Sequence, residues 1–131
     1  MTVKKATGHA LPGFLEIITR LRAKDGCPWD RKQTPSSIKK YLLEETEELA
    51  GAIDEGDPTH ICEEIGDVFY ILAMLCQMFT EQGDFNADDA LTAISEKMIR
   101  RHPHVFAGGP TGDDKALKQQ WEAIKRRERH Q

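Results

Sequence analysis

The sequence predicts an all-α fold, a helical bundle of about five helices around a central antiparallel pair. Three observations predict it. Apolar residues recur at helical rather than strand spacing. No stretch alternates convincingly with period two, so no sheet is expected. Two signals of a capping side chain followed by proline, Thr34-Pro35 and Asp57-Pro58, open the two longest helical stretches.

The first helix is expected from Leu11 to Arg22, with Phe14, Ile17, Ile18 and Leu21 at helical spacing. A loop holding Asp25-Gly26-Cys27-Pro28-Trp29-Asp30 follows. The second helix runs from the Thr34 cap to about Glu55, where Gly56 can close it in the left-handed conformation. Asp57-Pro58 opens a third helix that extends to about Glu81, and Gly83 ends it. Its half from Val68 to Cys76 is apolar nearly all round, a pattern usual in a helix buried on every side. In a domain this small, a subunit interface is the expected cover. Asn86, with Asp89 three residues on, starts a fourth helix ending near Arg101. The breaker Gly108-Gly109-Pro110 precedes a fifth, from Lys115 to about Arg127.

At 131 residues the chain is read as one domain with a core of about residues 14–127 and short flexible termini. A charged fraction of 31% and a hydrophobic fraction of 39% suit a soluble globular protein. The net charge of -4 argues against a nucleic-acid binder that depends on overall basicity. Acid concentrates between Glu44 and Asp67, and base between Lys97 and Arg101 and from Lys115 to Arg129. The cysteines Cys27, Cys62 and Cys76 are odd in number and form no C-x-x-C, which favours buried thiols and a reducing cytoplasm. No signal peptide is recognised, and the apolar run from Val68 to Met78 is too short to span a bilayer, so no membrane is expected.

Two acidic signatures carry the chemistry. Glu44-Glu45-Thr46-Glu47-Glu48 and Glu63-Glu64-Ile65-Gly66-Asp67 each place carboxylates at i and i+3, on one helix face. On a wheel of about 100° per residue with Glu44 at zero, Glu48 falls near 40° and Glu45 near 100°. With Glu63 at zero, Asp67 and Glu64 take about the same two angles. Leu42, Leu43, Leu49 and Ile53 on one helix, and Ile61, Ile65, Val68, Phe69 and Leu72 on the other, form the adjoining apolar sector. Glu48 and Glu64 each lie eight residues from Gly56, and Glu45 and Asp67 each lie eleven. Equal distance from a tight turn means equal height, so Glu48 should face Glu64, and Glu45 should face Asp67. One acidic helix alone reads as a solvated face. Two with matched phase and height read as a cation site. All-carboxylate ligands suit Mg2+, with Mn2+ as a substitute, and no histidine stands at i+3 from these acids to suggest di-iron. Mg2+ keeps waters and takes phosphate ligands, which points to a phosphate-bearing substrate.

With these residues in hand, the chain resembles the MazG-type nucleoside triphosphate pyrophosphohydrolases of the all-α NTP pyrophosphatase superfamily. The resemblance runs from about Phe14 to Lys125. It rests on Glu44, Glu45, Glu48, Glu64 and Asp67, with Gly26-Cys27-Pro28-Trp29-Asp30, Gln33-Thr34, Arg100-Arg101-His102-Pro103-His104-Val105-Phe106, and Trp121-Glu122 with Lys125. It implies Mg2+-dependent hydrolysis between the α- and β-phosphates, giving a nucleoside monophosphate and pyrophosphate. By resemblance, Glu45, Glu48, Glu64 and Asp67 are metal ligands. Glu44 and Glu45 are the catalytic candidates, either serving as general base. Lys97 and Arg101 match phosphate-holding positions, and Trp121 and Lys125 a nucleotide-contacting pair. Full-length relatives carry two such domains in tandem and this sequence contains one, so a homodimer or homotetramer is expected.

Bland readings stand beside these. Trp29 either stacks on a base or plugs the core. Trp121, by periodicity alone, is core. Met74 and Met78 are ordinary core. His102 and His104 flank a proline without a second His/Cys pair and are not read as a metal site. A non-catalytic nucleotide-sensing or partner-binding module is the second function class. A carboxylate bundle without nucleotide chemistry is the third, and Lys97, Arg101 and Lys125 speak against it.

Overall fold

The computed structural model describes residues 10–130. The remaining terminal residues, part of the ends expected to be flexible, lie outside the described residues. The described chain is helical with no strand, in the order α1 (Ala10–Leu21), α2 (Pro28–Lys32), α3 (Pro35–Glu55), α4 (Pro58–Gln82), α5 (Ala87–Arg101), α6 (Pro103–Phe106) and α7 (Asp114–Arg129). The four long sequence-based boundaries around α3 and α4 hold. Thr34 caps α3 with a reciprocal pair: its Oγ1 accepts from the Ser37 amide at 3.1 Å, and Ser37 Oγ accepts from the Thr34 amide at 2.8 Å. Asp57 accepts from the Thr59 amide at the start of α4. Gly56 and Gly83 close the two helices, both at φ 81°, a conformation that suits glycine.

Among the described residues the five expected helices are present, and two short ones, α2 and α6, add to them. α2 and α6 are single turns, each opened by proline at its first position. Five and four residues are too few to display an apolar period.

The chain divides into two compact units, one ending at Ala87 and one beginning at Asp88. In the first, α4 packs along α3 and, over a smaller contact, against α1. Ile18 of α1, Ile38 of α3, and Ile71, Ala73, Met74 and Met78 of α4 form the buried core. Phe14, Leu42, Tyr70 and Leu75 pack around it.

The helical phase needs a second correction. Leu43 and Ile53 of α3, Ile65, Phe69 and Leu72 of α4, and Ile17 of α1 are exposed, although all were expected on the core side. The α3 residues that turn inward are Ile38, Tyr41, Leu42, Glu45, Leu49 and Ala52. The packed seam is therefore turned toward the acidic edge, and Glu45 lies within it. The cause is width: the apolar sector of each helix is broader than one partner can cover. Part of the α4 apolar half is thus left uncovered within a single chain. Beside it lies an apolar groove of about 430 Å³ lined by Ala10, Leu11, Phe14, Gly66 and Phe69. Cys62 is also exposed, against the expectation of buried thiols, while Cys27 and Cys76 are half-buried and all three are free.

Polar contacts tie α2 into this unit. Gly26 sits so tightly that a Cβ there would stand 2.2 Å from the Leu21 carbonyl oxygen. Any larger residue would drive the connection off the end of α1. The Arg22 guanidinium then bridges outward: Nε and Nη2 donate to the two Glu81 carboxylate oxygens at 2.7 and 3.0 Å, and Nη1 donates to the Asp30 and Gln33 carbonyls. Asp30 is buried and its carboxylate accepts from the Tyr70 hydroxyl of α4. Burial, then the hydrogen bond to Asp30, push the Tyr70 pKa well above its ordinary value.

In the second unit, Ile124 of α7 is buried, and Asp113 caps α7 by accepting from the Ala116 amide at 2.9 Å. Among the described residues, no helix is long and apolar enough to cross a membrane.

Candidate functional site

The acidic signatures fall on facing stretches of α3 and α4, as the hairpin argument requires. Glu45, Glu48 and Glu64 each offer a carboxylate oxygen, and the three lie within 4.8 Å of one another. The expected meeting of Glu48 and Glu64 is present. Glu45, in the packed seam, joins the same group. Asp67 lies outside the trio, yet its charge still acts on Glu45. Glu44 is exposed and also outside.

Two observations set this trio apart from a solvated acidic face. Glu45 Oε2 and Glu64 Oε2 are buried and have no hydrogen-bond partner. Leaving a buried acceptor unpaired costs about 1–3 kcal/mol, more when it is charged. The Glu45 pKa is also raised, first by burial, then by the charge of Glu48 and that of Asp67, with a hydrogen bond to Glu48 and the charge of Glu64 adding to it. The arrangement is unfavourable unless something positive enters it. Hard oxygen donors, mutual repulsion and unpartnered oxygens all fit a divalent cation such as Mg2+.

One residue of the site escaped the sequence reading. His60 Nε2 stands 3.2 Å from Glu64 Oε1, and its Nδ1 stands 3.2 Å from Glu55 Oε2. Burial lowers the His60 pKa, but the hydrogen bonds and charges of Glu55 and Glu64 outweigh it, and the net shift is upward. The signal was present as a histidine four residues before Glu64. It stands outside the i+3 spacing of the Glu-x-x-His pattern.

The other expected residues divide between structure and surface. Trp29 is half-buried, packs edge-on against Tyr41 with ring centroids 5.4 Å apart, and borders the core. The plug reading describes its position. In the second unit, the Arg101 guanidinium lies 5.1 Å from the Trp121 ring centroid, a cation–π distance. Arg101 Nε donates to Glu128 Oε1 at 3.0 Å, and Arg100 Nη2 donates to Glu128 Oε2 at 3.0 Å. The Glu128 pKa is lowered, first by the hydrogen bond from Arg101, then by that from Arg100. His102 meets Trp121 edge-on at 5.3 Å, and His104 Nδ1 is 3.1 Å from Gln120 Nε2. Lys97 and Lys125 are half-buried, one turn from Arg101 and Trp121 respectively. Arg101 and Trp121 are thus brought together in the second unit, while the acids belong to the first.

Comparison with known proteins bears on the family. A family profile described as the MazG nucleotide pyrophosphohydrolase domain matches residues 33–106. The chain is 42% identical over 125 residues to the nucleoside triphosphate pyrophosphohydrolase/pyrophosphatase MazG of Thermotoga maritima, covering 95% of this chain and 48% of that protein. It is 42% identical over 119 residues to the nucleoside triphosphate pyrophosphohydrolase of Escherichia coli K12, covering 90% of this chain and 45% of the other. An uncharacterized Bacillus subtilis protein, YabN, is 44% identical over 97% of this chain but only 26% of its own length. The chain therefore spans about half or less of these curated relatives. The crystal structure of a mazG-related protein from Thermotoga maritima superposes with a TM-score of 0.73 at 28% identity, covering 88% of this chain and 98% of that one.

Proposed function

The chain belongs to the MazG nucleotide pyrophosphohydrolase family, and from that premise we propose that it hydrolyses nucleoside triphosphates between the α- and β-phosphates. The products are a nucleoside monophosphate and pyrophosphate, and the role is house-cleaning of the nucleotide pool in the cytoplasm. The observation that carries the reading is the trio of Glu45, Glu48 and Glu64, with two buried oxygens left without partners. Glu45, Glu48 and Glu64, with Asp67 completing the set, would hold Mg2+ or Mn2+. A cation bound there supplies charge neutralisation and polarisation of phosphate oxygens.

The chain's own residues take the remaining roles. Glu44, next to the trio but outside it, and Glu45 are the two candidates to accept the proton of the attacking water. Lys97, Arg101 and Lys125 neutralise the departing pyrophosphate. Trp121 offers a ring face to the base. Trp29, half-buried and edge-on to Tyr41, is the second candidate to stack on the base. The exposed Ile65, Phe69 and Leu72 on α4, with the groove beside Phe69, support a homodimer or homotetramer that covers them.

The deciding experiment is product analysis on a panel of canonical and modified NTPs and dNTPs, with Mg2+ and with chelator. Pyrophosphate plus monophosphate, lost on chelation, is the expected result. Orthophosphate alone would move cleavage to the terminal phosphate and sink the proposal. No turnover by folded, metal-bound protein would favour a nucleotide sensor.

A further inference from the structure

We propose that His60 is a positioning residue that locks Glu64 in the acidic trio, with Glu55 holding the histidine ring from the far side of the α3–α4 turn. The inference rests on the metal reading given above and extends it to two residues outside the ligand set. Pro58 is the first residue of α4, so His60 is the third, and it shares a face with Glu64 one turn on. Glu55 is the last residue of α3. Each ring nitrogen faces a carboxylate oxygen at 3.2 Å, Nε2 toward Glu64 and Nδ1 toward Glu55. The three groups run inward from solvent: the side chains of Glu55, His60 and Glu64 are 68%, 38% and 13% exposed.

The consequence is orientational. With Oε1 hydrogen-bonded to His60, rotation of the Glu64 carboxylate is restricted, and its buried, unpartnered atom is Oε2. That oxygen is left for the group shared with Glu45 and Glu48. A ligand fixed in this way gives up less conformational freedom when a cation arrives, the role that outer partners play in metal centres. A pair that only stabilised the start of α4 would change thermal stability and leave metal affinity alone.

The test is Mn2+ binding to the full chain without nucleotide, read from the loss of the free-ion electron paramagnetic resonance signal. Circular dichroism checks folding. His60→Ala should weaken binding by about 10–100-fold, the range for loss of an outer-shell partner, and Glu55→Ala by a smaller factor. His60→Gln, whose amide nitrogen reaches toward the position of Nε2, should recover affinity to within about threefold of the parent. Glu48→Gln, which removes a ligand, is the control and should abolish binding. Unchanged affinity in His60→Ala, with binding lost in Glu48→Gln, overturns the inference and leaves the metal reading standing. Equal losses in His60→Ala and His60→Gln also overturn it. If His60→Ala does not fold, the exposed Glu55→Ala decides, and unchanged affinity there overturns the proposal. A parent protein that binds no Mn2+ removes the metal reading and the inference together.

Discussion

Two groups of charged residues, one in each unit, are built on opposite terms. In the first unit, Glu45, Glu48 and Glu64 crowd together, two buried oxygens lack partners, and the Glu45 pKa is driven up. In the second, Glu128 is held between Arg100 and Arg101, and its pKa is driven down. One carboxylate group is frustrated and the other is satisfied. Energetic imbalance, more than the presence of acids, separates the acidic trio from a structural clamp. The comparison also tempers the expectation for Arg101, which reaches a phosphate only by sharing or releasing Glu128.

The comparison breaks most visibly at Glu48. Glu48→Gln should abolish turnover while leaving the metal-free protein at least as stable as the parent, because it removes repulsion without removing packing. Steady-state assays and thermal melts check both halves, and a large fall in melting temperature would make Glu48 structural. Next in size is the response to metal. Saturating Mg2+ at about 100 times its Kd stabilises a protein by about 2.7 kcal/mol, provided the unfolded chain does not bind it. For a chain of this size that is a rise of about ten degrees, reversed by chelator. The rise should vanish in Glu48→Gln and persist in Glu128→Gln. A Mg2+ response that survives in Glu48→Gln would place the ion elsewhere.

The smallest effect sharpens the contrast through pH. The folded pKa of Glu45 lies above its unfolded value of 4.5, so its penalty is full at neutral pH. That penalty is relieved as pH falls through the folded value. Glu128 has the opposite sign. Its folded pKa lies below 4.5, so its contribution is present above 4.5 and lost as pH falls through the lower folded value. Without metal, Glu45→Gln should stabilise the protein at neutral pH, and the gain should shrink toward pH 4.5. Glu128→Gln should destabilise it at neutral pH, with the loss persisting to more acidic pH. Denaturant titrations across pH measure both. Gains or losses of the same sign at the two positions would contradict the contrast.

Much of this was legible in the sequence. Thr34-Pro35, Gly56, Asp57-Pro58 and Gly83 mark backbone positions with few alternatives, and they fixed the bounds of α3 and α4 within a residue or so. Those bounds set the register that brings Glu48 to Glu64. Other features depend on neighbours that a single helix cannot announce. The seam turned toward the acids because each apolar sector had more width than its partner could bury, which exposed Leu43, Ile53 and Phe69. The single turns α2 and α6 were too short for periodicity. The buried Asp30 carboxylate finds its partner in Tyr70, 40 residues on. His60 was visible, but its role depends on both sides of a turn at once.

The clasp between Arg22 and Glu81 has a kinetic consequence. It closes across 59 residues, and the bond from Tyr70 to Asp30 across 40, whereas the α3–α4 hairpin needs only its own short turn. Loop-closure entropy favours the local pairing first. The acidic helices would then meet before α1 and α2 are fastened over the far end. Removing the clasp with Glu81→Ala should accelerate unfolding and leave the refolding rate almost unchanged. Stopped-flow chevrons would show this, and a slowed refolding arm would instead place the clasp in the nucleus. The residues proposed to bind metal would thus assemble early, and the contacts that fasten α1 and α2 to α4 would form later.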